Sequence, residues 1–184
     1  MRDLSLHILD LIQNSIRAEA SLVFLTVRLG EDGVLSIIIE DNGTGMSEEL
    51  LSRVTSPFAT TRTTRKVGLG IPMMAENCRL AGGDLRIESE LGKGTRLTAT
   101  LDTQSIDCLP LGDLPGTITT LVTMNPDHPE FCLHCSSPQG EMQFDTREIR
   151  EALQGVSLRE PEIAAWMLSS LREEIEPIFG GVTL

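Results

Sequence analysis

Lysine and arginine are scarce in this chain: 15 of them against 27 aspartates and glutamates give a formal net charge of −12 and a pI near 4.6. Affinity for a nucleic-acid backbone comes largely from clustered cations that displace counterions, so this balance excludes that partner and points to proteins or small molecules. Long apolar runs are missing too. No stretch approaches the ~20 apolar residues that cross a bilayer. The N-terminal "MRDLSLHILDLIQNS" carries acidic residues early and lacks a cleavage region, so neither a membrane span nor a signal peptide is expected. Cysteine is limited to Cys78, Cys108, Cys132 and Cys135, too few and too scattered for a disulfide framework in 184 residues. Reduced thiols and a cytoplasmic location are expected. No internal repeat or low-complexity segment occurs, and the length suits one domain, or one domain with an appendage.

From Asp3 to Glu19, Leu4, Ile8, Leu11, Ile12 and the small Ser15 recur at helical spacing and predict an amphipathic helix. "SLVFLTVRL" and "GVLSIIIED" are β-branched runs separated by "GEDG", which predicts a hairpin. Ser47 is placed to cap a short helix, "SEELLSRV", with two glutamates in its first turn. "TSPFATTRTTRKVGLG" (Thr55 to Gly70) breaks every period and predicts a long loop of functional character. "IPMMAENCRLAGG" resumes helical spacing with Met73, Met74 and Leu80, and "DLRIESELGKGTRLTATLD" reads as two alternating strands around a glycine-rich turn. Composition shifts after about residue 103. Residues 104–184 predict a helix, a hairpin over "FCLHCSSPQGEMQFD", and two helices, the last with Ile163, Trp166, Met167, Leu171 and Ile175 at helical spacing. These make a small α+β appendage, suited to packing on residues 1–103 or to docking a partner.

Four short stretches carry chemistry. On the first helix, His7, Asp10, Asn14 and Arg17 form a second stripe opposite the apolar one. A solvated face explains that stripe, but a carboxylate, a carboxamide and a guanidinium in this order also activate water, ligate a hard cation and hold a phosphate. "EDNGTGM" (Glu40 to Met46) looks like a hairpin turn, except that a helix follows it; Gly43 and Gly45 instead permit close backbone approach to a flat ligand. Asp41, ending an apolar strand, needs a donor such as an exocyclic amine. "KVGLGIPM" puts glycines just before a helix, where N–H groups hold anionic oxygens, and Arg62, Arg65 and Lys66 concentrate positive charge there. "LGKGT" reads by itself as a glycine-containing hairpin.

In order and spacing these stretches resemble the ATP-binding domain shared by histidine kinases, DNA gyrase, Hsp90 and MutL, the GHKL superfamily. "LDLIQNSIRAEA" looks like its N box, "EDNGTGM" its DxGxG box, "SPFATTR" its F box, "VGLGIPM" its second glycine box and "GGDLRIESELGKGT" its closing strands, over about residues 4 to 101. The N box together with "TTRTTRKVGLG" and "FDTREIRE" is similar to a bacterial ATP-binding family. The resemblance implies a two-layer α/β sandwich of Bergerat type, a mixed sheet with helices on one face, binding ATP and Mg²⁺. Asn14 would ligate Mg²⁺, Arg17 contact phosphate, Asp41 accept the adenine amino hydrogen with Gly45 beside the ring, and Thr95 help hold the base, often through water. Gly68 and Gly70 would meet the phosphates, and the loop from about Thr55 to Val67 would be the mobile ATP lid. Gly43, Met46, Phe58, Thr60, Thr61, Arg62, Lys66, Val67 and Leu69 complete the implied nucleotide contacts.

Three departures from the family pattern bear on function. Lys66 stands where the glycine box opens with glycine, which suggests a side-chain grip on phosphate. Asp10 occupies the place of the hydrolysing members' glutamate, one methylene shorter, and is the candidate general base. The chain begins at the N box, so the helical segment with the phosphoacceptor histidine of histidine kinases is expected to be absent. His7, roughly 10 Å along the same rigid helix from Asn14, is expected to be structural or solvent-facing. The expected function is therefore a signalling phosphotransferase acting on a separate protein. Alternatives are an ATP-hydrolysing conformational switch of the MutL or Hsp90 type using Asp10, and a non-catalytic nucleotide sensor. "HPEFCLHC" raises zinc, but on a strand Cys132 and Cys135 face opposite ways, so core or surface thiols are expected.

Overall fold

The computed structural model describes residues 2–54 and 69–180. Helix α1, Leu4–Arg17, starts at Asp3, whose carboxylate accepts the Leu6 N–H at 3.0 Å, and buries Leu4, Ile8, Leu11, Ile12 and Ser15 along one stripe. Strands β1 (Leu22–Leu29) and β2 (Val34–Asp41) form the hairpin around "GEDG". Helix α2, Glu48–Val54, follows the "EDNGTGM" loop, with the Ser47 hydroxyl accepting the Leu50 N–H at 3.3 Å. Helix α3 is Gly70–Leu80, and β3 (Leu85–Glu90) and β4 (Gly94–Asp102) make the second hairpin. Beyond it lie α4 (Leu114–Met124), β5 (Glu130–Ser137), β6 (Gly140–Asp145), α5 (Thr146–Leu153) and α6 (Pro161–Phe179).

The six strands form one mixed sheet in the order β3-β4-β2-β1-β5-β6, antiparallel throughout except for the parallel pair β1 and β5. Sheet and core run on across residue 103, because β5 pairs with β1 from Leu22↔Glu130 to Arg28↔Ser136. Alternate residues of the central strands, Val23, Leu25 and Val27, Leu35, Ile37 and Ile39, Leu97, Ala99 and Leu101, Phe131, Leu133 and Cys135, are buried on one face. Helix α1 packs on β2, α3 on β3 and β4, and α6 on β5 and β6, while α4 fills the space between α1 and α6. The other face carries Phe24, Thr26, Ile38, Thr98 and His134, half-buried or exposed. Among the described residues no helix is long and apolar enough to cross a membrane.

In α3 and α6 some of the residues that spacing assigns to the apolar stripe are exposed, while Met74, Met167, Leu171 and Ile175 are buried as expected. In α3 the buried residues are Gly70, Ile71, Met74 and Cys78, whereas Met73 and Leu80 are exposed. Both sets satisfy helical spacing, but they are about 100° apart, and the small Gly70 lets this face close on α1. In α6, Met167, Leu171, Ile175, Ile178 and Phe179 are buried, while Trp166 is 53% exposed. Cys135 is buried in the core and Cys132 lies on the opposite face beside Asp145 and Arg147, so the two thiols do not share a ligand position. Burial raises the Cys135 and Cys78 thiols to about 12 and Cys132 to about 11.

Ile37, fully buried on the second strand of the core, is the place to test this packing. Ile37→Ala is expected to lower unfolding free energy by about 2–5 kcal/mol, read from the urea midpoint at unchanged denaturant slope.

Candidate functional site

A cavity of about 220 Å³ opens between the C-terminal half of α1, the ends of β2 and β4, and the "EDNGTGM" loop. Leu11, Ile39, Met46, Leu50, Ile71, Ile87 and Leu97 line it with apolar surface, and Asn14, Ser15, Arg17, Asp41, Thr44 and Thr95 supply the polar groups. Few, convergent polar groups in an apolar cleft are the usual form of a small-molecule site.

Asp41 is held from two sides. The buried Ser15 hydroxyl donates to Oδ2 at 2.6 Å, and the Gly43 N–H donates to Oδ1 at 2.9 Å. Each carboxylate oxygen keeps a further lone pair, so the group is pre-aimed as an acceptor for a donor in the cavity. Thr95 stands directly opposite Asp41 on the neighbouring strand.

The loop after Asp41 is pinned by backbone contacts that reverse no strand. Thr44 N–H donates to the Ala18 carbonyl at 2.8 Å, and Gly92 N–H donates to the Thr44 carbonyl at 2.7 Å. Asn42 accepts from the N–H groups of Ser21 and Leu22 at 2.9 and 3.0 Å. Gly45 has φ +64°, and a Cβ there would sit 2.0 Å from the Glu90 carbonyl oxygen. At Gly43 a Cβ would come within 2.6 Å of the Ala18 carbonyl. The close approach these glycines permit is therefore made first to protein backbone; Gly45 also borders the cavity.

Asn14, Arg17, Asp41, Gly45, Met46 and Thr95 converge on the cavity. Arg17 is exposed at its edge and donates to Asn14 Oδ1 at 3.4 Å. Asp10, exposed one turn earlier on α1, lies outside the lining and flanks the start of α3: a Cβ on Gly70 would be 3.2 Å from its Oδ2. Gly43 and Gly70 are not among the lining residues, and Leu69 is 70% exposed. Phe58, Thr60, Thr61, Arg62, Lys66, Val67 and Gly68, with the expected lid, lie outside the described residues. Sequence reasoning passed over Ser15 as a small core residue and missed Asn42 and Ser89 altogether. Ser15 carried a signal, a polar residue on an apolar stripe with no local partner.

His7 is wholly buried between α1 and α3, and its Nε2 lies 2.7 Å from the Asn77 carboxamide nitrogen. With Asn77 donating to Nε2, the ring proton is on Nδ1, which has no partner among the described residues. Burial lowers the His7 pKa below its usual 6.5.

A nucleotide fits this set of groups. The apolar walls accept a flat base, Asp41 an amine, and Arg17 at the rim an anion. Asn14 offers one neutral oxygen, and magnesium is commonly held by one or two protein oxygens with phosphates supplying others. Among the described residues no cluster of three His, Cys, Asp or Glu forms a separate metal cage.

Residues 2–105 match the family described as histidine kinase-, DNA gyrase B-, and HSP90-like ATPase, and the chain belongs to that family. Among curated proteins it is similar to histidine protein kinase DivJ of Caulobacter vibrioides, 34% identical over 105 residues that make up 54% of this chain and 18% of that one. It is also similar to sporulation kinase D of Bacillus subtilis, 35% identical over 95 residues, 51% of this chain and 19% of that one. The match thus spans about a fifth of each kinase. A crystal structure of the N-terminal domain of a DNA repair protein shares the fold, with a TM-score of 0.51 and 16% identity over 79% of this chain and 52% of that one. That likeness covers a larger share of the chain than residues 2–105 do.

His7 makes stability depend on pH in a defined direction. The unfolded histidine titrates near 6.5 and the folded one lower, so in that window the unfolded chain holds one more proton. The thermal midpoint is expected to fall as pH drops through about 6.5, and His7→Gln should flatten that dependence in calorimetric scans from about pH 8 to about pH 5.

Proposed function

We propose that the protein binds Mg²⁺-ATP in the α1 and β2 cavity and transfers the terminal phosphoryl group to a separate protein, acting in the cytoplasm. The observation that carries the nucleotide reading is the Asp41 carboxylate, clamped by Ser15 and Gly43 and aimed into an apolar cleft beside Thr95. Asp41 reads the base amine and Gly45 borders the ring. Asn14 offers its carboxamide oxygen to magnesium, and Arg17, one turn further along α1, holds phosphate oxygen. Magnesium, when bound, supplies charge neutralisation on the phosphates. The glycine box from Lys66 to Gly70 and the lid residues Phe58, Thr60, Thr61 and Arg62 are assigned to the phosphate end.

Transfer is favoured over hydrolysis by two features. The curated relatives named above are kinases. Among the described residues that line the cavity Asp41 is the one carboxylate, and it is assigned to the base, so these residues offer no general base for water. The acceptor is not His7, which is buried and bonded to Asn77. Residues 104–184, with 13 of the 27 acidic residues and four of the 15 basic ones, are assigned to bracing residues 1–103 and to partner contact. One observation favours a second reading: Asp10 lies beside Gly70, at the end of the site assigned to phosphate, where a carboxylate serves as base for hydrolysis.

Asp41→Asn is expected to weaken Mg²⁺-ATP binding roughly 10- to 100-fold by calorimetry, since it replaces a charged acceptor. Unchanged affinity in both Asp41→Asn and Asn14→Ala sinks the nucleotide assignment. In cell extract with radiolabelled ATP and Mg²⁺, the wild-type protein should label a second protein and Asn14→Ala should not. Phosphate release without a labelled protein, lost in Asp10→Ala, establishes hydrolysis instead.

A further inference from the structure

Ser89, on β3 behind the cavity wall, joins three segments through one hydroxyl. Its Oγ accepts the Met46 N–H at 2.8 Å, donates to the Gly94 carbonyl at 2.9 Å, and lies 2.9 Å from Thr95 Oγ1. A serine hydroxyl has one hydrogen and two lone pairs. With the hydrogen on Gly94 and one lone pair taken by Met46, the third contact is a hydrogen bond only if Thr95 donates. The single hydrogen of Thr95 is then turned away from the cavity that this residue lines, leaving only lone pairs toward it.

Asp41, opposite Thr95 in the strand register, already accepts hydrogens from Ser15 and Gly43 and likewise offers only lone pairs. Directly opposed residues on antiparallel strands have Cβ atoms about 4.5–5.5 Å apart. Two acceptors each ~2.9 Å from one trigonal nitrogen, 120° apart, are themselves ~5 Å apart. The Cβ spacing of the pair is thus comparable with the acceptor spacing that one exocyclic amine requires, and both side chains present lone pairs.

We infer that Ser89 is a positioning residue for base selectivity: it fixes Thr95 as a direct second acceptor, so that Asp41 and Thr95 together take a 6-amino purine and repel a 6-oxo purine. This rests on the adenine-nucleotide reading above. Without the Ser89 hydroxyl, Thr95 is free to turn its hydrogen into the cavity and donate to a 6-oxo group. Ser89 thus acts on the ligand without touching it. Its bond to Met46 N–H also ties the "EDNGTGM" loop to the β3–β4 hairpin, so loss of Ser89 has a general structural effect that must be separated from the selective one.

The test is the ratio of dissociation constants for ITP and ATP, each with Mg²⁺, measured by calorimetry. Wild type should bind ATP more tightly, and Ser89→Ala should narrow the ratio about three- to tenfold, the worth of one hydrogen bond. Ser89→Thr, which keeps the hydroxyl, should hold the wild-type ratio. In a Thr95→Val background Ser89→Ala should leave the ratio unmoved, since the coupling runs through the Thr95 hydroxyl. Equal weakening of both nucleotides in Ser89→Ala, or a wider ratio, overturns the inference: the first is a structural role alone, the second places Thr95 on the ring nitrogen. Ser89→Cys, with longer and weaker bonds, gives the same reading if the alanine variant does not fold. Wild type that binds neither nucleotide overturns the adenine reading itself, whereas tight ATP binding with a ratio indifferent to Ser89 overturns only the positioning role of Ser89.

Discussion

The hydrogen bond from Ser15 to Asp41 joins the helical layer to the sheet at the point where the chain leaves both. Ser15 belongs to the buried stripe of α1, and Asp41 is the last residue of β2. Their 2.6 Å contact fixes where α1 ends relative to the strand, and Ala18, one turn on, then accepts the Thr44 N–H and starts the loop. A carboxylate set against an apolar wall is costly to leave without donors. The arrangement satisfies it with a hydroxyl and an N–H that leave lone pairs for a third partner. The floor of the cavity is therefore ordered by interactions the protein makes with itself, and a ligand meets an acceptor already in position.

Behind that floor, rigidity comes from glycine used for contact as much as for turning. Gly45 and Gly94 are two residues whose Cβ atoms would collide with carbonyls, at Glu90 and at Asp41 respectively. They draw the loop and the β3–β4 turn together until Ser89 reaches Met46, Gly94 and Thr95 at once. The continuous sheet carries this geometry outward: β5 and β6 extend it beyond β1, and α6 covers the extension as α1 and α3 cover the cavity end. The acidic C-terminal segment is thus built into the same core, and motion of one half is constrained by the other.

Much of this was legible in the sequence, because the signals are periodic or local. Alternation in "VRLGEDGVLSIIIE", helical spacing in α1 and glycine-marked turns depend on neighbours a few residues apart. The order of the motifs made the family, and with it the α/β fold with a mixed sheet, recognisable. Less legible was anything set by a partner far along the chain. The choice between two apolar stripes on α3 was decided by α1, against which Gly70 and Asn77 pack. His7 looked like part of a solvated face because nothing in its own helix shows that α3 covers it. Asn42 and Ser89 are an ordinary asparagine and serine in sequence, brought to their partners by the pairing of the strands they adjoin, and Ser15 meets Asp41 only because α1 packs on the sheet.

The same contacts bear on how the two ends of the site are coupled. Helix α1 carries Asn14 and Arg17 at the cavity, Asp10 against the first residue of α3, and His7 against Asn77 near its end. Helix α3 begins at Gly70, so in the proposed nucleotide reading any shift in its position moves the phosphate end relative to the base end. A buried imidazole with one nitrogen bonded and the other without a partner is a poor place to add a proton, and burial holds it neutral. The α1–α3 contact is therefore a fixed spacer at neutral pH. In the reading proposed above, base recognition rests on the Ser15 and Ser89 networks, while the start of α3 is tied to α1 by the close approach of Gly70 to Asp10 and by the bond between Asn77 and His7.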